Sequence, residues 1–224
     1  MNKLHAENQV LILKTVDKNM QGSRKFQYPE AGLVECDNWT GRPGGNTGGL
    51  FGQLWGGGKY CLLSFEASAR WLVIAVNPAD VVEFDNKCKF HKGTVLNLPK
   101  DRETATAYMY KYGDKNVPVH GLILSAGDNK NIIAGDRAKI SSGNGATVTA
   151  GGGSTITGGD GSKIIAGDGS KIIAGKESTI FTGDESEITA GDKSEITAGD
   201  WAKITTGERS KISAGIHSRI AKTM

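Results

Sequence analysis

The sequence predicts a mainly β protein, with a small α+β domain over residues 1–120 followed by a six-coil β-solenoid over residues 121–224. Three observations point there. Glycine recurs at every eighth position from Gly127 to Gly215, twelve times without a slip. Five residues after each glycine stands an isoleucine or, once, a valine, from Ile132 to Ile220. The residue alphabet also contracts near residue 121. All 5 prolines, all 3 cysteines and all 5 tyrosines lie before Gly121, and such a change of composition marks two structural units.

Counting the glycine as position 1, each octad reads G-D-x-S-x-I-x-A. Position 4 is Ser or Ala in every octad except the first, which has Lys130. A helix is excluded, because a glycine at each octad costs about 1 kcal/mol there and one isoleucine per octad makes no apolar stripe. The stretch Ser-x-Ile-x-Ala alternates with strand period. The Gly-Asp pair predicts a corner, with glycine supplying unusual backbone angles and Asp capping the turn. Two octads close one coil of 16 residues, so twelve octads make six coils, a stack of roughly 28 Å at the spacing of hydrogen-bonded strands. Isoleucines at position 6 point inward in two facing ladders, and positions 5 and 7 point outward. Each coil mainly contacts its neighbours.

The octads GGGSTITGGDGSKIIAGDGSKIIAG and TGDESEITAGDKSEITAGDWAKITTG resemble the repeat region of bacterial ice-nucleation proteins. Repeats of that family have the form A-G-x-G-S-T-x-T and pair into 16-residue coils. The resemblance covers about residues 126–220 and implies a β-solenoid whose outward Thr-x-Thr rows order water. This chain departs from the pattern on its outward faces. Only Thr147/Thr149 and Thr155/Thr157 form Thr-x-Thr; position 5 is otherwise mostly charged, as at Lys139, Lys163, Lys171, Glu187, Glu195, Lys203, Lys211 and Arg219. Stacked Lys171, Glu187 and Lys203 predict cross-strand charge pairing. A strongly hydrated face argues against ice binding. Asp168, Asp184 and Asp200 stack at one corner. The period of eight differs from the nine of calcium-binding repeats, so these residues read as turn caps, and no metal or cofactor is expected.

Some outward residues are not explained by the repeat. Ile165 and Phe181 occupy one row on adjacent coils, Ile133 shares that row, Trp201 sits at a corner and Ile173 points out from the opposite face. Outward apolar residues side by side predict a contact surface, covered by the first domain, a second copy or a protein partner. Only Ala-Lys-Thr-Met follows Ile220 in this sequence. The apolar ladder end there predicts a homodimer in which two chains meet at their C-terminal coils.

In the first domain, strands are expected at 9–16, 59–65, 70–76, 80–84 and 93–98, a helix at Thr104–Tyr112, and a glycine-dense loop between Asn38 and Lys59. Trp39, Trp55 and Trp71 are expected in the core. The stretches KNMQGSRKFQYPEAGLVECDNW, GGLFGQLWG and RWLVIAVNPADVVEFDNKCKFHKGTV resemble an uncharacterised domain of phage and bacterial proteins, over about residues 10–97. Relatives tend to carry Gly-Leu-His where this chain has Gly49-Leu50-Phe51. The resemblance implies no established chemistry, but it points to a phage or mobile-element origin.

Little else suggests catalysis. GGGKY lacks the Gly-Lys-Ser/Thr and the spacing of a phosphate loop. Cys88 and His91 form a lone C-x-x-H without the second ligand pair that zinc needs; a Cys-His nucleophile pair from Cys88 with His91 or His120 is the catalytic alternative. Lys87, Lys89, His91 and Lys92 form a basic patch, read first as a solvated strand edge. Composition excludes several classes. Glycine does not recur every third residue, so collagen is out. No apolar run approaches about 18 residues, so no membrane helix is expected. The first residues lack the apolar core of a signal peptide, and Cys36, Cys61 and Cys88 are an odd, scattered set, which fits a reduced, cytoplasmic protein. The net charge of +3 assigns no nucleic acid, and the 12 basic and 12 acidic residues after position 120 exclude a DNA mimic.

These readings predict a non-enzymatic binding or structural protein, phage- or mobile-element-encoded, that dimerises through a rigid solenoid and presents a macromolecule-binding surface, for example to a host defence complex. An enzyme in the first domain with the solenoid as spacer is one alternative. An ice- or cation-binding solenoid is the other.

Overall fold

A computed structural model describes residues 1–59 and 62–223. The chain divides into two compact units, Met1–Val119 and His120–Met224.

In the first unit, Leu11–Val16 is buried throughout, Lys14 and Thr15 included, and forms most of β1 (Val10–Val16). Its antiparallel partner β4 (Arg70–Val76) is buried almost as continuously, and the two pair over their whole length, Val10 opposite Val76 and Val16 opposite Arg70. With β2 (Gly32–Glu35), β3 (Leu50–Leu54), β5 (Val81–Phe84), β6 (Lys87–Phe90) and β7 (Lys92–Val95) they form a seven-stranded antiparallel sheet of order β2-β7-β4-β1-β3-β6-β5. Ile12, Val16, Leu72, Ile74, Val76, Cys88 and Phe90 gather in one core. The helix α1 (Arg102–Tyr112) packs on β4 and β1 and buries Ala105, Tyr108 and Met109. The Asp101 carboxylate accepts the Thr104 backbone N–H at 2.7 Å and caps its start.

Several expectations for this unit change. The helix begins two residues before Thr104. The stretch that glycine content marks as loop holds β3. Within 59–65, Leu62–Phe65 form no strand, and Tyr60 and Cys61 lie outside the described residues. Only Gly93–Val95 of the run 93–98 are strand. The sequences GLVE and KCKF of β2 and β6 are too short to show a period of two. Trp71 is in the core, whereas Trp39 and Trp55 are half-buried.

The second unit is the solenoid. Two parallel sheets of seven and six strands stack with a step of 16 residues, as in Ile140 beside Ile156 and Val148 beside Ile164. Val148, Ile156, Ile164 and Ile180 expose nothing. The dry ladders end at Ile212, half-buried, and Ile220, exposed.

The corner differs from its predicted form in two ways. Left-handed backbone falls at position 3, not at the glycine of position 1. Position 3 has φ between 56° and 70° from Gly121 to His217, whether it is Gly, Asn, Arg, Glu, Lys, Trp or His. The position-1 glycines serve close approach instead. A Cβ on Gly151 would lie 2.0 Å from Asp136 Oδ1 and 2.7 Å from the Asp136 backbone nitrogen, and Gly199 and Gly215 face Asp184 and Asp200 in the same way. Nor does the aspartate cap its own turn. Its Oδ1 accepts the backbone N–H of the residue 16 further on: Gly152 on Asp136 at 2.9 Å, Asp200 on Asp184 at 2.8 Å, Ile216 on Asp200 at 2.9 Å. Serine completes the corner from within the octad. Ser154 and Ser170 donate to the carbonyls of Gly151 and Gly167, both at 2.8 Å.

This geometry reveals a degenerate half-coil that the glycine count misses. His120 stands at position 2, and its Nδ1 accepts the Asp136 N–H at 2.9 Å. Gly121 is at position 3, buried Leu122 at position 4, and Leu124 pairs with Ile140 from β8 (Ile123–Ser125). The unit therefore holds six coils and a preceding half.

Gly151→Ala is expected to lower unfolding stability by about 1–3 kcal/mol, because the coil below cannot yield. Gly127→Ala, whose Cβ would meet nothing within 4 Å, should stay within about 0.5 kcal/mol of the parent. Urea titrations of both variants test this. Equal losses would show that glycine serves something other than coil contact.

Candidate functional site

The outward rows of the solenoid run straight because the register never slips. One sheet carries at position 7 the row Ile133, Thr149, Ile165, Phe181, Thr197, Ser213. Ile165 and Phe181 are direct neighbours, 38% and 42% exposed, and Ile133 is exposed further along. The other sheet places Ile173 between Thr157 and Thr189. Trp201 and His217 both occupy position 3 of one corner, and their rings stack with centroids 4.2 Å apart. Nothing in the octad pattern announces that stack except the spacing of 16.

The charged rows pair between coils. Lys171–Glu187 (3.3 Å), Lys176–Asp192 (3.6 Å), Glu177–Lys193 (3.1 Å) and Glu195–Lys211 (2.8 Å) each join residues 16 apart. Hydrogen bonding between the last two holds the Glu195 carboxyl below its ordinary pKa and the Lys211 ammonium above its own. All four pairs are exposed, so they guide register more than they stabilise. Among the described residues no group of three or more His, Cys, Asp or Glu is placed to hold a metal ion.

In the first unit the structure breaks up the predicted basic patch. Lys92 is exposed, Lys87 and His91 are half-buried, and Lys89 is fully buried. The Lys89 ammonium donates to Thr40 Oγ1, Thr47 Oγ1 and the Gly48 carbonyl, and it lies 5.2 Å from the Trp39 ring centroid. All three of its protons are thus used to pin the glycine-dense loop, while desolvation lowers its pKa. A Cβ on Gly49 would press against both the Trp39 ring and the Lys89 chain. His91 stacks on Trp39 at 5.6 Å and lies 3.4 Å from Glu35.

The catalytic alternative finds little footing. Cys88 exposes nothing, its Sγ donates to the Gly52 carbonyl at 3.2 Å, and burial pushes its pKa up to about 12. A nucleophilic cysteine needs the opposite shift. The contacts of His91 are with Trp39, Glu35 and Asp80, and His120 belongs to the second unit, where it closes the first corner. No described helix is long and apolar enough to cross a membrane.

Comparison with known proteins bears on the repeats. The chain is 42% identical to an ice nucleation protein of Xanthomonas campestris pv. translucens over 118 residues, 51% of this chain and 7% of that protein. It is 40% identical to an ice nucleation protein of Pseudomonas syringae over 104 residues, 46% of this chain and 9% of the other. With the ice nucleation protein InaU of Pantoea ananas it shares 35% identity over 94 residues, 41% and 9% of the two chains. The chain thus spans less than a tenth of the relatives it matches. No protein-family model matches it, and neither does a solved structure. The 16-residue coils and these similarities together establish an ice-nucleation-like repeat wound as a β-solenoid.

Burial of Cys36 and Cys88 predicts slow thiol chemistry. With Cys61 replaced by serine, the folded protein at pH 8 should react with Ellman's reagent at least about a hundredfold more slowly than after denaturation. Rapid reaction of Cys88 would restore the nucleophile.

Proposed function

We propose that this is a non-enzymatic binding and structural protein whose solenoid serves as a rigid rod, presenting the row of Ile133, Ile165 and Phe181 to a protein partner. The observation that carries this is the in-register pair Ile165 and Phe181, both outward and more than a third exposed. Position 7 asks only for a side chain that tolerates water. Thr149, Thr197 and Ser213 meet that demand in the same row, so neighbouring large apolar groups mark a surface that is covered in use.

The rod also joins two chains through their C-terminal coils. Support comes from large apolar groups exposed on neighbouring coils. Ile216 and Ile220 are 66% and 52% exposed, and Trp201, one coil earlier, is 58% exposed. Apolar groups exposed together on a rigid rod suit contact with a second copy. The resemblance of the first half to a phage and bacterial domain supports a phage or mobile-element product acting on a host defence complex. Free, buried thiols agree with the reducing cytoplasm.

Ice binding is the second reading, favoured by the relatives' name. Against it stand the charged position-5 rows, which leave two Thr-x-Thr pairs, one on each sheet.

Light scattering at micromolar concentration should give twice the chain mass, and Ile220→Asp should halve it; a monomeric parent removes the dimer. Ile165→Thr with Phe181→Thr should leave melting unchanged while abolishing retention of the host partner. Equal retention by this variant removes the row. Droplets of the protein should freeze with buffer; freezing at warmer temperature would favour the ice reading.

A further inference from the structure

The first unit contains a cavity of about 320 Å³, at the small end of ligand pockets. Its lining includes Lys14, Arg24, Phe26, Tyr28, Leu50 and Phe51. Lys14 occupies a core position. It follows the pleat of β1 on the face of Ile12 and Val16, sits opposite Leu72, and is only 7% exposed. Its ammonium makes no hydrogen bond or ion pair with any described residue.

The same unit shows what a structural buried lysine looks like. Lys89, fully buried, places all three protons on oxygen acceptors. Lys14 has none, although Asp37 lines the same cavity. Neither the Lys14 ammonium nor the Tyr28 hydroxyl is among the fully buried atoms without a partner, so the lysine keeps access to the cavity, where an anion can supply the acceptor that no described residue does. Desolvation accordingly lowers its pKa.

Two further features agree. Tyr28 is 3% exposed and its hydroxyl likewise has no hydrogen-bond partner among the described residues, while its ring meets Phe26 edge-to-face at 5.0 Å. Burial raises its pKa, so the hydroxyl stays a donor. Arg24, also lining the cavity, and the adjacent Lys25 both hold left-handed backbone, with φ of 57° and 58°. Strained residues of this kind cluster at ligand sites.

We propose that this cavity binds a small organic carboxylate, its acid group on the Lys14 ammonium and the Tyr28 hydroxyl, its carbon body against Phe26, Leu50 and Phe51. Two donors with no acceptor among the described residues, and two cations against the single carboxylate of Asp37, select an anion over a neutral group. The apolar walls select an organic acid over inorganic phosphate.

The test uses the full chain with benzoate and its neutral isostere benzamide, followed by calorimetry and by melting temperature. Benzoate should bind and raise the melting temperature, with benzamide at least about tenfold weaker. Lys14→Met should abolish the preference, and Lys14→Arg should keep it. Phosphate should not compete. Equal binding of benzoate and benzamide, no binding of benzoate at ~10 mM, competition by phosphate, or undiminished benzoate binding by Lys14→Met would each overturn the assignment. The parent comparison needs no variant, so it stands even if a substitution fails to fold.

Discussion

The close approach of one corner to the corner of the next coil is the constraint on which the solenoid depends. From Gly135 onward there is no room for a Cβ at position 1, because the position-2 residue of the preceding coil fills the space. At position 2 a carboxylate reaches forward to a backbone N–H that would otherwise face no acceptor. At position 3 the chain turns left-handed so that its N–H donates to the following coil, as Gly145 does to the Asp160 carbonyl at 2.8 Å. At position 4 the serine hydroxyl ties off the glycine carbonyl. Four of eight residues shape the corner, position 6 forms the dry ladder, and position 8 is mostly buried alanine. Positions 5 and 7 face outward, as do the side chains at position 3.

That division explains why position 3 tolerates so many residues. A left-handed conformation ordinarily favours glycine, yet seven of the eight corners from Glu177 onward and at Asn129 and Arg137 hold bulky or charged side chains there. The backbone is overdetermined by hydrogen bonds to the coils on either side, so the local cost is absorbed. The outcome is a corner column free to carry Glu177 and Lys193 as an ion pair, or Trp201 and His217 as a stack.

The first unit is organised differently, around two lysines removed from water. Lys89 is spent on holding a glycine-dense loop against Trp39. Lys14 has no acceptor among the described residues and lines a cavity instead. In the sequence both are ordinary lysines on strands. KCKF reads as part of an exposed basic run, because a side chain's burial depends on which loop folds over it, and that loop lies some forty residues earlier.

The sequence by itself determined the solenoid, its two-octad coil, its inward isoleucines and the outward row of Ile165 and Phe181. In a repeat each contact is made to the equivalent residue 16 further on, so local period and tertiary register are one and the same. Tertiary structure alone decided why the glycine is needed, where the left-handed residue falls and that His120 begins the stack, since these rest on distances between coils rather than on spacing along the chain. It alone also decided the order of the first sheet, the strand inside the glycine-dense stretch and the burial of Lys14 and Lys89. Those depend on pairings between distant, non-repeating segments, for which a single chain carries no period to read.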